Sequence, residues 1–155
     1  MTMKKLYKYT GCGLDYIYLS NGYEIKDTPF GEGVTIHDLD GLHRTIMTDL
    51  IENKPNWTNT ELRFVRKELG MTQKTLGMFV SRDAQTVALW EKGKQTVPEE
   101  ATNIIRGIYL SRENGSVKLE EMLTRINDLD RQINHLKKKI AFESDANGWH
   151  TTKAA

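Results

Sequence analysis

The 155-residue sequence is poor in the features that mark several classes of protein. It contains one cysteine, Cys12, which excludes an internal disulfide framework and a multi-cysteine zinc site. No run approaches the roughly 18 apolar residues of a membrane span, and the lysines near the N-terminus precede no apolar signal segment. We therefore expect a cytoplasmic protein that has no membrane contact.

The charges are unevenly distributed along the chain although the net charge is only +1. Residues 1–57 carry six basic and eight acidic side chains, whereas residues 58–98 carry seven basic and four acidic ones. A positive excess confined to the middle of the chain is the modest footprint expected of a nucleic-acid-binding segment.

The first third of the chain has the pattern of short β-strands. Residues 6–9, 17–19 and 34–36 are rich in tyrosine and aliphatic side chains, and Asn21-Gly22 predicts a hairpin between the runs that flank it. Residues 38–53 repeat apolar side chains at helical spacing, with Asp38 or Asp40 as the cap. We predict a β-rich domain over 1–56, with one face of this helix covering its small antiparallel sheet.

Residues 58–112 have the pattern of a bundle of short helices. Thr72 caps a helix that runs to Phe79, and Asp83 caps a second helix that Gly93 ends. Two short helices joined by a tight turn form a helix-turn-helix, whose second helix fits the major groove of DNA. Val87 and Trp90 are predicted to point inward, leaving four side chains facing out: Ala84, Gln85, Ala88 and Leu89.

Two runs carry a family resemblance. They are Thr72-Gln73-Lys74-x-Leu76 and Thr86-Val87-x-x-Trp90-Glu91-Lys92-Gly93-Lys94. This pattern resembles the helix-turn-helix family of the lambda and 434 repressors and Cro, the xenobiotic-response-element type, over about residues 60–110. At the turn the frequent glycine is Ser81, and Arg82 replaces a hydrophobic residue, which adds a cation near the DNA backbone.

The resemblance implies roles for individual side chains. Gln73 would bond phosphate and brace the reading residues, and Gln85 would contact base edges, since an amide can bond adenine through two hydrogen bonds. Contacts to thymine methyls are implied for Ala84, Ala88 and Leu89, and phosphate contacts for Thr86, Lys92 and Lys94. If none of these contacts is made, Gln73 and Gln85 are solvated polar residues.

The β-rich start followed by a helix-turn-helix is also similar to antitoxins that carry an N-terminal zinc ribbon. Those proteins need paired cysteines, and this chain has only Cys12. A metal is therefore not implied, and toxin binding does not transfer with the resemblance.

Residues 116–142 have the most regular periodicity in the chain. Apolar side chains alternate at steps of three and four, which predicts an amphipathic helix able to form a parallel two-stranded coil: Leu119, Met122, Ile126, Leu129, Ile133, Leu136 and Ile140. The alternative is a helix that folds back on its own domain. Residues 143–155 are predicted to be a flexible tail.

Two other features, a cluster of histidines and aspartates and the single cysteine, are weaker candidates for functional sites. His37, Asp38, Asp40 and His43 are metal-ligand types, but they straddle a strand-to-helix junction where an aspartate is needed as a cap. Cys12 has no evident histidine-plus-acid partner, so we expect it to be a small buried hydrophobe. We predict no catalytic site, metal or cofactor.

These observations predict an α+β protein: a small N-terminal sheet with a helix, a helix-turn-helix bundle and a C-terminal amphipathic helix. The expected function is a homodimeric, sequence-specific DNA-binding transcription regulator, a repressor of an inverted-repeat operator. Two alternatives stay open. One is an autoregulatory antitoxin, with a toxin or another protein bound by the N-terminal domain; the other is an interaction protein with a vestigial helix-turn-helix.

Overall fold

The N-terminal strands form two separate antiparallel hairpins. In the computed structural model, which describes residues 5–115, 118–133 and 141–152, β1 (Tyr7–Lys8) pairs with β2 (Tyr18–Leu19). β3 (Tyr23–Thr28) pairs with β4 (Gly31–Ile36). The predicted hairpin at Asn21-Gly22 is wrong, because β3 pairs along its whole length with β4 and the chain at Gly22 only passes from one hairpin to the next.

Six helices follow in the part of the chain that the structure describes, and a side chain caps the start of each of the first four. They are α1 (Leu39–Asn53), α2 (Asn59–Glu68), α3 (Gln73–Phe79), α4 (Ala84–Glu91), α5 (Glu99–Glu113) and α6 (Lys118–Ile133). Asp38 caps α1 by accepting a hydrogen bond from the Gly41 amide at 3.2 Å. Together with the antiparallel strands, these helices make the α+β fold that the sequence predicts.

One hydrophobic core joins the helices. The apolar face of α1 contributes Ile46, Met47, Leu50 and Ile51 to a cluster that it shares with α2, α3, α4 and α5. The expectation that this face covers the N-terminal sheet is therefore wrong, since burial among helices removes more apolar surface from water than a two-stranded hairpin can. The N-terminal segment adds its own side chain to the core, Leu14, which is 1% exposed.

A buried carboxylate ties the N-terminal segment to α2. Glu61 is fully buried and accepts hydrogen bonds from the Thr58 amide at 2.9 Å, from Lys54 Nζ at 2.7 Å and from the Tyr16 hydroxyl. Burial acts to raise the pKa of Glu61, but these donors outweigh it and lower that pKa below its usual value. Burial and the bond to Glu61 raise the pKa of Tyr16.

The start of α6 folds back onto the helical core. Leu119 and Leu123 pack against the core cluster, and the Arg112 guanidinium binds Glu120 at 2.6 Å. Met122, which belongs to the predicted coil seam, is 49% exposed. Leu119, the first residue of the predicted coil seam, therefore packs as in the folded-back alternative, whereas Met122, the second, is exposed.

The rest of the predicted seam lies beyond the described side chains. Ile126, Leu129 and Ile133 belong to α6 by their backbone, while Leu136 and Ile140 lie outside the described residues. Dimerisation through this seam stays a prediction.

Residues 143–152 differ from the flexible tail expected over 143–155, whose last three residues lie outside the described part of the chain. β5 (Ala141–Asp145) and β6 (Gly148–Thr152) form a third antiparallel hairpin. Its two-residue turn is Ala146-Asn147, and Gly148, which begins β6, has a φ of 105°, a value that glycine adopts without strain. Asn147-Gly148 is the same dipeptide as Asn21-Gly22, and here it does lie where a hairpin turns.

Candidate nucleic-acid interface

The two helices of the helix-turn-helix approach each other closely at a glycine. Thr72 caps α3 by accepting a hydrogen bond from the Thr75 amide at 3.1 Å. A Cβ atom at Gly77 would lie 2.6 Å from the carbonyl oxygen of Arg82, so a larger residue could not occupy this position unless the turn moved. Gly77 therefore allows α3 to pack directly against the chain that leads into α4.

The turn between α3 and α4 reverses the chain at Ser81. Its φ is 58°, in the left-handed region that favours glycine, so a serine at this position is strained. The Arg82 side chain donates hydrogen bonds to the carbonyls of Val80 and Ser81 and lies 3.6 Å from Glu100. The positive charge of Arg82, which is predicted to approach the DNA backbone, is therefore partly balanced by the Glu100 carboxylate of α5.

α4 has the two faces required of a recognition helix. Asp83 caps it by accepting a hydrogen bond from the Thr86 amide at 2.7 Å, and the bonds from Thr86 lower the pKa of Asp83. Val87 and Trp90 are buried in the core, as predicted. Gln85 is exposed, and half-buried short or apolar side chains surround it: Ala84, Thr86, Ala88 and Leu89.

A buried ion pair attaches the recognition helix to the helices behind it. The Arg66 guanidinium donates two hydrogen bonds to the Glu91 carboxylate, from Nε at 2.6 Å and from Nη2 at 2.8 Å. Arg66 also donates to the carbonyl of Met71 at 2.9 Å, at the start of the chain that leads into α3. This one side chain therefore fixes α2, α4 and the entry to α3 together.

Gln73 belongs to the same network. Its Nε2 donates to Glu91 Oε1 at 3.4 Å, so its amide is oriented by the C-terminal end of α4. Gln73 is predicted to brace the outward-facing residues of α4. The hydrogen bond that it makes to α4 goes instead to Glu91. A phosphate contact by Gln73 stays a prediction.

Exposed lysines border the helix-turn-helix. Lys74 lies in the first turn of α3, and Lys92 and Lys94 follow the end of α4. The chain after α4 is held in place because the amides of Lys94 and Gln95 both donate to the carbonyl of Leu89. Cations at fixed positions beside an outward-facing helix can neutralise phosphates and position a duplex without reading its sequence.

Sequence reasoning missed the pairing of Arg66 with Glu91. Glu91 belongs to the closing motif of the family resemblance, and nothing in the local pattern marks Arg66 of α2 as its partner. They are 25 positions apart, and no periodicity links residues on different helices. The available signal was the acidic residue beside buried Trp90, since a carboxylate next to a core residue requires a partner.

A second polar cluster lies away from the helix-turn-helix. Nδ1 of His43 lies 2.8 Å from Glu68 Oε1, and Nε2 lies 2.7 Å from the Tyr9 hydroxyl. Burial, followed by the nearby Cys12 and Glu68, raises the pKa of Tyr9. These bonds use both ring nitrogens of His43 to fasten the N-terminal segment to α1 and α2, which is a structural arrangement.

The residues weighed as metal ligands are dispersed by the fold. Asp38 caps α1 and His43 is bonded to Glu68 and Tyr9. Among the described residues, no three histidine, cysteine or acidic side chains are arranged to hold a metal ion. Cys12 is half-buried against the core. Over the same residues, no helix is both long and apolar enough to cross a membrane.

Compared with protein-family models, with curated proteins and with solved structures, the chain has no significant match. Any function proposed for it must therefore follow from its own residues and their geometry.

Proposed function

We propose that this protein is a cytoplasmic, sequence-specific DNA-binding transcription regulator of the lambda and 434 repressor type, and that it acts as a repressor. The observation that carries the proposal is the construction of α4. It presents Gln85 to solvent among short side chains while Val87 and Trp90 anchor its other face in the core. A helix with that distribution can enter a major groove about 12 Å wide without steric obstruction.

The ion pair behind α4 supports the same proposal. Reading a base edge requires the reading side chain to be held within a fraction of an ångström by rigid neighbours. Arg66 of α2 and Gln73 of α3 provide that support by binding Glu91 at the end of α4. An interaction protein with a vestigial helix-turn-helix would not need a fixed α4 with an uncovered outer face.

The regulator is proposed to act as a homodimer on an inverted repeat, with one α4 in each half-site and half-sites about one helical turn apart. The supporting feature is the exposed part of the α6 seam: Leu119 packs on the core of its own chain, whereas Met122 is exposed and can meet a second copy. The small positive excess around α3 and α4 gives each protomer few phosphate contacts, so pairing two copies raises affinity.

Selection of bound sequences from a random pool of duplex DNA tests this proposal. The full-length protein should enrich a palindromic motif whose half-sites are separated by about one helical turn. An Ala84→Asp variant serves as the matched control, because a carboxylate on the reading face repels phosphate while the helix keeps its buried side. Recovery of unenriched DNA by both proteins would contradict sequence-specific binding.

A protein partner bound by the N-terminal segment is a second proposal, as in an antitoxin that represses its own operon. The observation that favours it is that the apolar side chains in the outer part of the β3–β4 hairpin are exposed. Co-purification with the product of the neighbouring gene would support this role. If the two proteins stay separate when they are mixed, the antitoxin version of the proposal is contradicted.

A further inference from the structure

The β3–β4 hairpin has one apolar face. Tyr23 lies opposite Ile36, and Ile25 lies opposite Val34. Because alternate residues of a strand point to the same side, these four side chains share a face of the hairpin. The apolar content of the hairpin is therefore concentrated on one surface.

That face is covered at one end and open at the other. The ring of Tyr7 stacks on Tyr23 with a centroid distance of 5.0 Å, so β1 protects the base of the hairpin. Further out, Ile25 is 51% exposed and Val34 is 38% exposed. Phe30 is fully exposed in a turn that two hydrogen bonds of the Thr28 hydroxyl hold in shape. Exposed apolar side chains on an ordered hairpin are typical of a protein-binding surface.

The backbone of the hairpin is also available for pairing. Among the described strands, β3 and β4 pair only with each other, so each has an outer edge. An extended segment of a partner can add to such an edge through main-chain hydrogen bonds, with its alternate side chains meeting the apolar face.

The charge around this face selects the partner. Asp27 lies opposite Glu32, next along the same face from Ile25 and Val34, and two like charges in that position repel each other. Residues 20–41 carry five acidic side chains and one lysine, Lys26, which lies 3.6 Å from Glu24. A second copy of this hairpin would bring carboxylates against carboxylates, whereas a basic segment would relieve the repulsion.

We propose that the apolar face of the β3–β4 hairpin is the docking surface for an extended protein segment that carries both apolar and basic residues on one side. This inference deepens the partner role proposed for the N-terminal segment and is independent of DNA binding by α4. Ile25, Val34 and Phe30 supply the apolar contacts, and Asp27 with Glu32 supplies the charge that fixes orientation.

Titration of the full-length protein with three synthetic peptides tests the docking surface. The probes are seven-residue peptides with serine at every even position, so that the four odd positions share one side of the strand. Those four positions are Lys-Ile-Ile-Lys in the lysine–isoleucine peptide, Glu-Ile-Ile-Glu in the second peptide and Lys-Ser-Ser-Lys in the third. The lysine–isoleucine peptide should bind saturably, weaken with added salt and shift amide resonances within residues 23–36. The other two should bind at least about tenfold more weakly, since each lacks one of the two required contacts. Equal binding of all three would overturn the proposal.

Variants locate the contact on the face. Ile25→Ser and the double variant Asp27→Asn with Glu32→Gln should each weaken the lysine–isoleucine peptide by about tenfold. Thr35→Ser, on the opposite face, is the matched control and should bind like the parent protein. Phe30→Ser provides a variant at a fully exposed position, where the fold is not at risk. Unchanged binding by Ile25→Ser and Phe30→Ser together would overturn the proposal.

Two further measurements distinguish this proposal from self-association and from the proposed DNA binding. Sedimentation equilibrium that shows self-association of the parent protein, lost in Ile25→Ser, would assign the face to a second copy and overturn the proposal. DNA binding by Ile25→Ser should equal that of the parent protein. If Ile25→Ser no longer binds the peptide but still binds DNA, the docking surface is supported independently of the proposed operator. Sequence-specific DNA binding is tested separately, by the selection experiment.

Discussion

The Arg66 guanidinium meets the Glu91 carboxylate through two hydrogen bonds of 2.6 and 2.8 Å, and both side chains are largely withdrawn from water. Glu91→Ala leaves a charged Arg66 without this partner. We expect the free energy of unfolding to fall by about 3 kcal/mol, as when one member of a buried pair is removed. Urea denaturation measures the loss, with the exposed Glu99→Ala as control.

The coupling between the two residues has its own test. Because replacing both charges with apolar groups removes the need for a partner, Arg66→Met with Glu91→Leu should be more stable than Glu91→Ala alone. If the double variant instead loses the full sum of the two single losses, the residues act independently and the ion pair does not hold α4.

Gln85 is expected to read a base. Gln85→Ala should weaken binding to the selected operator by about 1–3 kcal/mol and leave binding to random DNA nearly unchanged, because only specific binding uses the amide. Fluorescence anisotropy at fixed salt measures both affinities. Asn103→Ala, an exposed amide on α5, is the control. Equal losses on both DNAs would rule out base reading by Gln85.

The turn of the helix-turn-helix carries strain at Ser81. Ser81→Gly should raise the free energy of unfolding by about 0.5–1 kcal/mol, since glycine adopts a φ of 58° without cost from a Cβ atom. Gly77→Ala should lower it by about 2 kcal/mol, because the added methyl meets the carbonyl of Arg82. Thermal unfolding checks both. A lower melting temperature for Ser81→Gly would show that the turn is not strained.

Glu61 should make part of the stability dependent on pH. Its folded-state pKa lies below the usual value, so its contribution is complete above the unfolded pKa of about 4.3 and is lost as pH falls through the folded pKa. Glu61→Gln should cost about 2 kcal/mol near neutral pH. The difference between Glu61→Gln and the parent protein should shrink in acid. A difference that stays constant from neutral pH into acid would contradict this linkage; exposed Glu52→Gln is the control.

The two sides of α6 should respond differently to substitution. Leu123→Ala removes a contact with the core and should lower stability by about 2 kcal/mol while the dimer persists. Met122→Lys, at an exposed seam position, should leave the fold intact and weaken dimerisation. Sedimentation velocity over a range of concentrations distinguishes them. A dimer of unchanged affinity in Met122→Lys would place the dimer interface elsewhere.

Local signals in the sequence predict the helices of the helix-turn-helix well. Thr72 and Asp83 cap the helices they were expected to cap, and Val87 and Trp90 are buried, because capping and helical periodicity depend on neighbours a few residues away. The capping box of Thr58 with Glu61 is equally local, yet it was overlooked.

Choices between distant partners are not predictable in this way. Asn21-Gly22 and Asn147-Gly148 are the same dipeptide, but only the second closes a hairpin. The first is overridden because β3 has a better partner in β4. The same reasoning applies to α1, whose apolar stripe is obvious in the sequence but whose choice of the helical core over the sheet depends on surfaces contributed by the whole chain.

Leu14 changes where this molecule can be divided. Its side chain is enclosed in the helical core, and Tyr16 two residues later binds the carboxylate at the start of α2. A fragment that begins at residue 58 would open an apolar hole and leave Glu61 without two of its donors. Excision, domain exchange or fusion at that boundary would thus remove part of the helical core along with the β3–β4 hairpin, and a fragment that keeps the helix-turn-helix folded has to begin before Leu14.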